Sequence, residues 1–265
     1  PVRQSQLSRQ LSELEEFFGR PLTERSRGRR RLTPEGRRLA EHARWTLSGL
    51  ADLLHAKPDE LGAPFVLAAG DSVLTWLVLP RVATVSARVS VRALPAHAVS
   101  AGLVDGSIDL GVVRADEVAH PLVSKPLGTI EHAFYAARSL VPRGTEQAEI
   151  PFRVPVAMQV SDRDFSTRLI EAASRRHESL HVTLECETFP QVLSAVAAGG
   201  HGGLLPTLVR SSLPRSRFHE LLLGGRHASR LRLAWAPTLL RVRPGAGRVI
   251  SALAESLTAA LAQDP

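Results

Sequence analysis

Residues 4–36 read QSQLSRQLSELEEFFGRPLTERSRGRRRLTPEG, and the order of signals in this stretch decides the head of the chain. Leu7, Leu11, Leu14 and Phe18 recur at spacings of four, three and four, which puts them on one helical face. Ser5, Ser8, Arg9, Ser12 and Glu16 fall on the other faces. Gly19 follows as a stop. PLTERS and RRRLT then bracket Arg27-Gly28, which predicts a short two-stranded hairpin crowded with Arg25, Arg27, Arg29, Arg30 and Arg31. A new helix starts at once: Thr33 is a good N-cap, Pro34 fits the first helical position and Glu35 suits the dipole. It is expected from about Pro34 to Ala56. Its stripe of Leu39, Ala43, Leu47, Leu50 and Leu54 has a spacing near the 3.5 of paired helices.

Charge is concentrated in the same region. Of 265 residues with a formal net charge of +7, the first 57 hold twelve basic and seven acidic residues, so the other 208 are close to neutral. A basic head on a neutral body points to a polyanion-binding module joined to something else. Lys57 and Lys125 are the only lysines; every other base is arginine. With 44% hydrophobic residues the chain can bury two or three cores. One cysteine, Cys186, rules out an intramolecular disulfide and suggests a reducing, cytoplasmic setting. The polar first dozen residues read as no signal peptide, and no apolar run reaches the ~20 residues of a membrane span, so no membrane partner is expected.

The head resembles the winged helix-turn-helix of LysR-type transcriptional regulators. The matching residues are Ser8-Arg9-Gln10, Leu14-Glu15, Gly19, Pro21-Leu22, Glu24-Arg25, Leu32-Thr33 and Gly36. The resemblance implies double-stranded DNA as partner. Gln4, Ser5, Ser8 and Arg9 are then recognition-helix contacts, and Arg25, Arg27, Arg29, Arg30 and Arg31 form a wing along the phosphates. It also implies a linker helix paired with its copy in a homodimer or homotetramer, with Leu39, Ala43, Leu47, Leu50 and Leu54 as the seam. Thr23 stands where the family usually has an aromatic that anchors the wing. The family pattern has roughly two further helices ahead of the recognition helix, and Pro1 lies inside that pattern.

After HAKPDELGAP, residues 55–64, the pattern changes. FVLAAG, RVSVRAL and IDLGVV read as strands, with helices near 73–86 and 97–105 between them. A crossing region at 120–140 follows. PVAMQV, LHVTLEC and GGLLP then repeat the order, with helices at 164–177 and 190–198. Strand LRLAWAP and a helix at about 245–262 close the chain. This is α/β alternation, the signature of parallel sheets with helices on their faces. It too resembles the LysR effector-binding part, a two-lobed, periplasmic-binding-protein-like domain, through LPRV, DGSIDLGVV and AAGGHGGLLP. The expected division is a partial winged helix-turn-helix at 1–33, linker helix and hinge at 34–63, and an effector-binding domain at 64–265. Lobe I is expected at about 64–135 plus 231–265, and lobe II at about 136–230.

A small-molecule effector is expected where the cleft meets helix N-termini, whose free amides favour acceptor groups. The strand-to-helix junctions nominate Ser72, Val73 and His97 in the first lobe, and Gln159, Ser161, Gly200 and His201 in the second. Asp71 stands out, because an acid at the cleft mouth repels a carboxylate effector. An enzyme reading competes. GDS at 70–72 looks like the opening block of GDSL-type esterases, with Ser72 as nucleophile. Such an enzyme also needs an oxyanion-hole asparagine and a late Asp-x-x-His. The chain has no asparagine, and its Asp-x-x-His, Asp52 to His55, comes before the serine. A plain solute-binding protein shares the two-lobed fold, but the basic wing argues against it. The ten histidines and Cys186 show no ligand spacing, so no metal or cofactor is expected.

Overall fold

A computed structural model of the chain describes residues 4–26, 29–54, 63–160, 167, 170–171, 173–174, 177–222 and 228–262. The head consists of helix α1 (Gln4–Phe18), hairpin strands β1 (Thr23–Ser26) and β2 (Arg29–Leu32), and the long helix α2 (Pro34–Leu54). No residue of α1 is buried. The hairpin is antiparallel, with Glu24 opposite Arg31 and Arg25 opposite Arg30.

Two five-stranded sheets follow. In lobe I, β3 (Phe65–Ala69), β4 (Val89–Ala93) and β5 (Leu110–Arg114) run parallel. They are extended by β12 (Ser229–Trp235), antiparallel to both β5 and β6 (Val123–Ile130). In lobe II, β8 (Val156–Gln159), β9 (Val182–Cys186) and β10 (Gly202–Pro206) are parallel. There β7 (His132–Ala137) is antiparallel to both β10 and β11 (Phe218–Leu222). The orders β4-β3-β5-β12-β6 and β9-β8-β10-β7-β11 correspond strand for strand. The lobes are therefore a structural duplication.

The helices seal these sheets. In lobe I, α3 begins at Asp71–Val73, widens into a π-helical segment at Leu74–Val78 and ends at Leu79–Val82. α4 spans Ala96–Asp105, α7 Pro237–Val242 and α8 Ala246–Ala262. α3, α7 and α8 cover one face through Leu77, Leu239, Leu253 and Leu257, and α4 covers the other through Val99 and Leu103. In lobe II, α6 (Phe189–Ala197) packs Val192 and Val196 on one face, while α5 (Ile150–Arg153) covers the opposite face with Ile150. Most of the helix expected over 164–177 lies outside the described residues; 167, 170, 171, 173 and 174 are helical.

The region 120–140 is more than a crossing, since it carries strands β6 and β7. Pro126 and Gly128 break the alternation of β6, and the register shifts beside them between Leu231 and Arg232. All six residues of β7 are buried, so its sequence shows no period of two. The chain passes between sheets at Glu131 and again between Leu222 and Ser229. β7 thus belongs to the second sheet, several residues before the boundary expected near 135.

Candidate functional site

The hairpin is held by α1 and by the start of α2. Leu22 and Thr23 donate their amides to Glu15 Oε1 at 2.8 and 2.9 Å, and the Thr23 hydroxyl joins at 3.1 Å. Those backbone donors hold the Glu15 carboxyl below its ordinary range. Glu15 thus ties Thr23, at the start of β1, to α1. Thr33 caps α2: its Oγ1 accepts from Gly36 N–H at 3.0 Å and donates to Pro21 O at 2.9 Å. Gly36 is required for close approach, because a β-carbon there would run into the Leu22 carbonyl.

Gln4, Ser5, Ser8, Arg9, Arg25, Arg30 and Arg31 are all exposed. Arg9 is paired with Glu13 at 2.8 Å, one turn on, a surface contact worth little. Arg27 and the side chain of Arg29 lie outside the described residues. Arg25 and Arg30 sit directly opposite each other on one face of the hairpin, an arrangement of like charges that costs stability unless an anion lies against it.

The linker helix has two faces of different kinds. Leu47 and Leu50 are exposed at 64% and 49%, Ala43 is exposed and Leu39 half-buried. The side chain of Leu54 lies outside the described residues. Between these positions, Trp45 points the other way and is buried in the lobe I core. Its ring lies over Gly106, whose φ of +75° and the 2.8 Å approach of Trp45 Cε2 to a β-carbon position both demand glycine. Arg44 bonds the Asp105 carbonyl at 3.2 Å and its carboxylate at 3.1 Å. The sequence stripe did not single out Trp45; a lone aromatic off the apolar face was the available signal.

The two lobes enclose a cleft of about 790 Å³. Ser72, Val73, His97 and Gln159 line it, four of the seven residues nominated from the sequence. They meet there because parallel strands of both sheets end at the cleft: β3 leads into α3, β4 into α4, and β8 ends on Gln159. Gln159 Nε2 donates to Glu187 O at 3.1 Å, across to the strand end of β9. Ser161 lies outside the described residues.

Gly200 and His201 do not line the cleft. They precede β10, and Gly202 N–H donates to Pro155 O at 2.8 Å, beside the start of β8. The cleft takes the opposite end of β10, Pro206, about 13 Å away at ~3.3 Å per residue. A glycine-rich turn before a strand opens at the wrong end of a parallel sheet to meet a ligand. The sequence reading also passed over His132, Arg114 and Glu117, all in the lining. His132 is buried at the crossing, with its ring 6.4 Å from Phe189. Arg114 pairs with Glu117 at 2.7 Å and with Asp116 at 3.7 Å. Burial pushes the Glu117 carboxyl up despite the opposing Arg114 charge. Asp71 accepts from Phe189 N–H across the cleft at 2.9 Å.

Among the described residues no group of three or more His, Cys, Asp or Glu is placed to hold a metal. No described helix is long and apolar enough to cross a membrane.

Two family models match the chain. One is described as the LysR substrate binding domain, over residues 59–258, and one as the bacterial regulatory helix-turn-helix protein of the lysR family, over residues 1–37. No curated protein matches the sequence. Solved structures do match the fold. ArgP from Mycobacterium tuberculosis superposes with a TM-score of 0.70 at 19% identity, over 97% of this chain and 88% of its own. A full-length OxyR variant from Pseudomonas aeruginosa gives 0.69 at 20% identity, over 97% and 86%. LysG from Corynebacterium glutamicum, solved with its effector Arg bound, gives 0.62 at 19% identity, over 96% and 90%. With a substrate-binding model spanning most of its length and the helix-turn-helix model on its head, the chain belongs to the LysR family of bacterial transcriptional regulators.

Proposed function

We propose that the chain acts as a cytoplasmic, non-enzymatic regulator whose grip on duplex DNA is set by a small molecule in the cleft. The carrying observation is the convergence of the α3 and α4 starts with the β8 strand end on one interlobe cavity. Ser72, Val73, His97 and Gln159 are the proposed effector contacts, joined by His132. In LysG the effector is arginine; here the lining mixes apolar walls with Asp71, Arg114 and Glu117.

Gln4, Ser5, Ser8 and Arg9 are the proposed groove contacts, and the wing arginines the phosphate contacts. The opposed Arg25 and Arg30 support this, since a phosphate between them relieves their repulsion. The exposed Leu47 and Leu50 face is the proposed seam of a homodimer, itself a unit of any tetramer. α4 carries the signal: it starts in the cleft at Ala96 and His97 and ends about 15 Å away against Arg44 and Trp45 of the linker helix. An esterase role for Ser72 lacks its asparagine, and Asp52 of the Asp-x-x-His lies in α2.

The test is the salt dependence of DNA binding. Replacing Arg30 and Arg31 by Ala is expected to weaken specific and random duplex alike. It should flatten the slope of log K against log salt by ~0.9 for each phosphate that is no longer neutralised. An unchanged slope removes the wing from the interface. A burst of p-nitrophenol from the acetate ester, abolished by Ser72→Ala, would replace the sensor reading with the esterase one.

A further inference from the structure

Asp71 is an acid at the mouth of a cleft built from helix starts, and its partner explains why it is there. Phe189 N–H, the first amide of α6, donates to Asp71 Oδ2 at 2.9 Å from the opposite lobe. The rest of that helix start is also satisfied. Pro190 has no N–H. Gln191 N–H donates to Thr188 Oγ1 at 3.4 Å, and Val192 N–H to Thr188 O at 3.3 Å. The Gln191 side chain returns the bond, its Oε1 accepting from Glu187 and Thr188 N–H at 2.9 and 3.2 Å. Lobe II therefore offers no open amide at α6.

The helix starts of lobe I make their first-turn backbone bonds, Leu74 N–H to Gly70 O and Val99 N–H to Pro95 O, but lack such side-chain capping. Gly70 and Pro95, the N-caps of α3 and α4, make no side-chain cap bond. The helix that supplies Asp71 also reaches across at a second point, where Trp76 packs against the lobe II core. In return Leu208, just past β10, packs against the lobe I core.

We propose that Asp71 is a built-in interlobe clasp: the chain's own carboxylate occupies the α6 N-terminus, so the cleft is bridged before any effector arrives. Any ligand acceptor aimed at the first amide of α6 must displace Asp71. This rests on reading the cleft as the effector site, but the clasp is measured without DNA or effector, so failure of that reading leaves the test below intact.

The measurement is amide hydrogen exchange at Phe189 in the whole chain, comparing wild type, Asp71→Ala and Asp71→Asn. Loss of one bond to a charged acceptor is expected to speed exchange at Phe189 about tenfold to hundredfold in Asp71→Ala. Asp71→Asn keeps an acceptor oxygen and should retain most of the protection, which guards against a mere folding defect. Sodium formate is the probe for the missing carboxylate, against equal sodium chloride. It should slow exchange in Asp71→Ala and leave wild type unchanged. Wild-type exchange in Asp71→Ala overturns the clasp. So does a fast Asp71→Ala that formate does not slow, because the loss would then lie in the loop and not in the carboxylate.

Discussion

The two lobes share one strand order but cap their described helix starts at the cleft differently. Lobe I sends two uncapped helix starts into it, at Asp71–Val73 and at Ala96–His97. Among the described residues, lobe II sends the start of α6, whose amides are taken by the Asp71 carboxylate and by the hydroxyl and carbonyl of Thr188. The linker helix sharpens the contrast, because its anchoring contacts run to lobe I: Trp45 to Gly106, Arg44 to Asp105, and Gly49 close against the Val242 carbonyl. The duplicated fold is therefore used unequally: lobe I anchors the linker helix, while lobe II brings Gln159 and His132 to the shared cleft.

The strongest way to break this asymmetry is to remove the anchor. Trp45→Ala deletes a large side chain buried in the lobe I core and is expected to cost about 3–5 kcal/mol in urea or thermal unfolding. It should also free the linker helix, raising hydrogen exchange across residues 39–50. If stability and exchange stay at wild-type values, the helix does not report on lobe I.

A smaller effect is expected in lobe II, at Glu220. Its side chain is 5% exposed and accepts from Arg210 Nε at 2.6 Å and from Arg215 Nε at 2.9 Å. Burial alone raises this carboxyl, but the hydrogen bonds and charges of Arg210 and Arg215 outweigh it and hold it below the ordinary glutamate range. A depressed carboxyl adds stability above its unfolded-state pKa, and that stability is lost as pH falls through the folded value. Glu220→Gln should therefore cost about 1–3 kcal/mol near neutral pH. The gap to wild type should close in acid, below the normal carboxylate range. A gap that stays constant with pH would assign the loss to packing alone. DNA binding should hardly change, since the described anchoring contacts of the linker helix run to lobe I.

Much of this was legible before the structure because the carrying signals are local. The hairpin, the Thr33 cap and the β-α-β order follow from turn residues, capping and apolar runs, each decided within a few positions. The misses were non-local. β7 is buried on both faces and shows no alternation, while Pro126 and Gly128 disguise β6. Trp45 reads as a stray aromatic until Gly106, 61 positions later, is brought beneath it. Ser72, His97 and Gln159 could be placed at the cleft because each sits at the carboxyl end of a strand. Gly200 and His201 were misplaced because a turn that precedes a strand opens at the far end of the sheet. The Asp71 bond to Phe189 joins positions 118 residues apart, and no spacing rule reaches it.

The most direct test of the lobe I account sets one residue from each end of the sheets against the other. A metabolite that raises the melting temperature of the chain is first selected from a library, and its affinity is then measured calorimetrically. Ser72→Ala removes a donor at the open α3 start and is expected to weaken binding roughly tenfold to hundredfold. His201→Ala, on the far side of β10, should leave affinity at the wild-type value. Equal affinity for Ser72→Ala and wild type, together with a loss in His201→Ala, would contradict the account and move the site to the other end of lobe II.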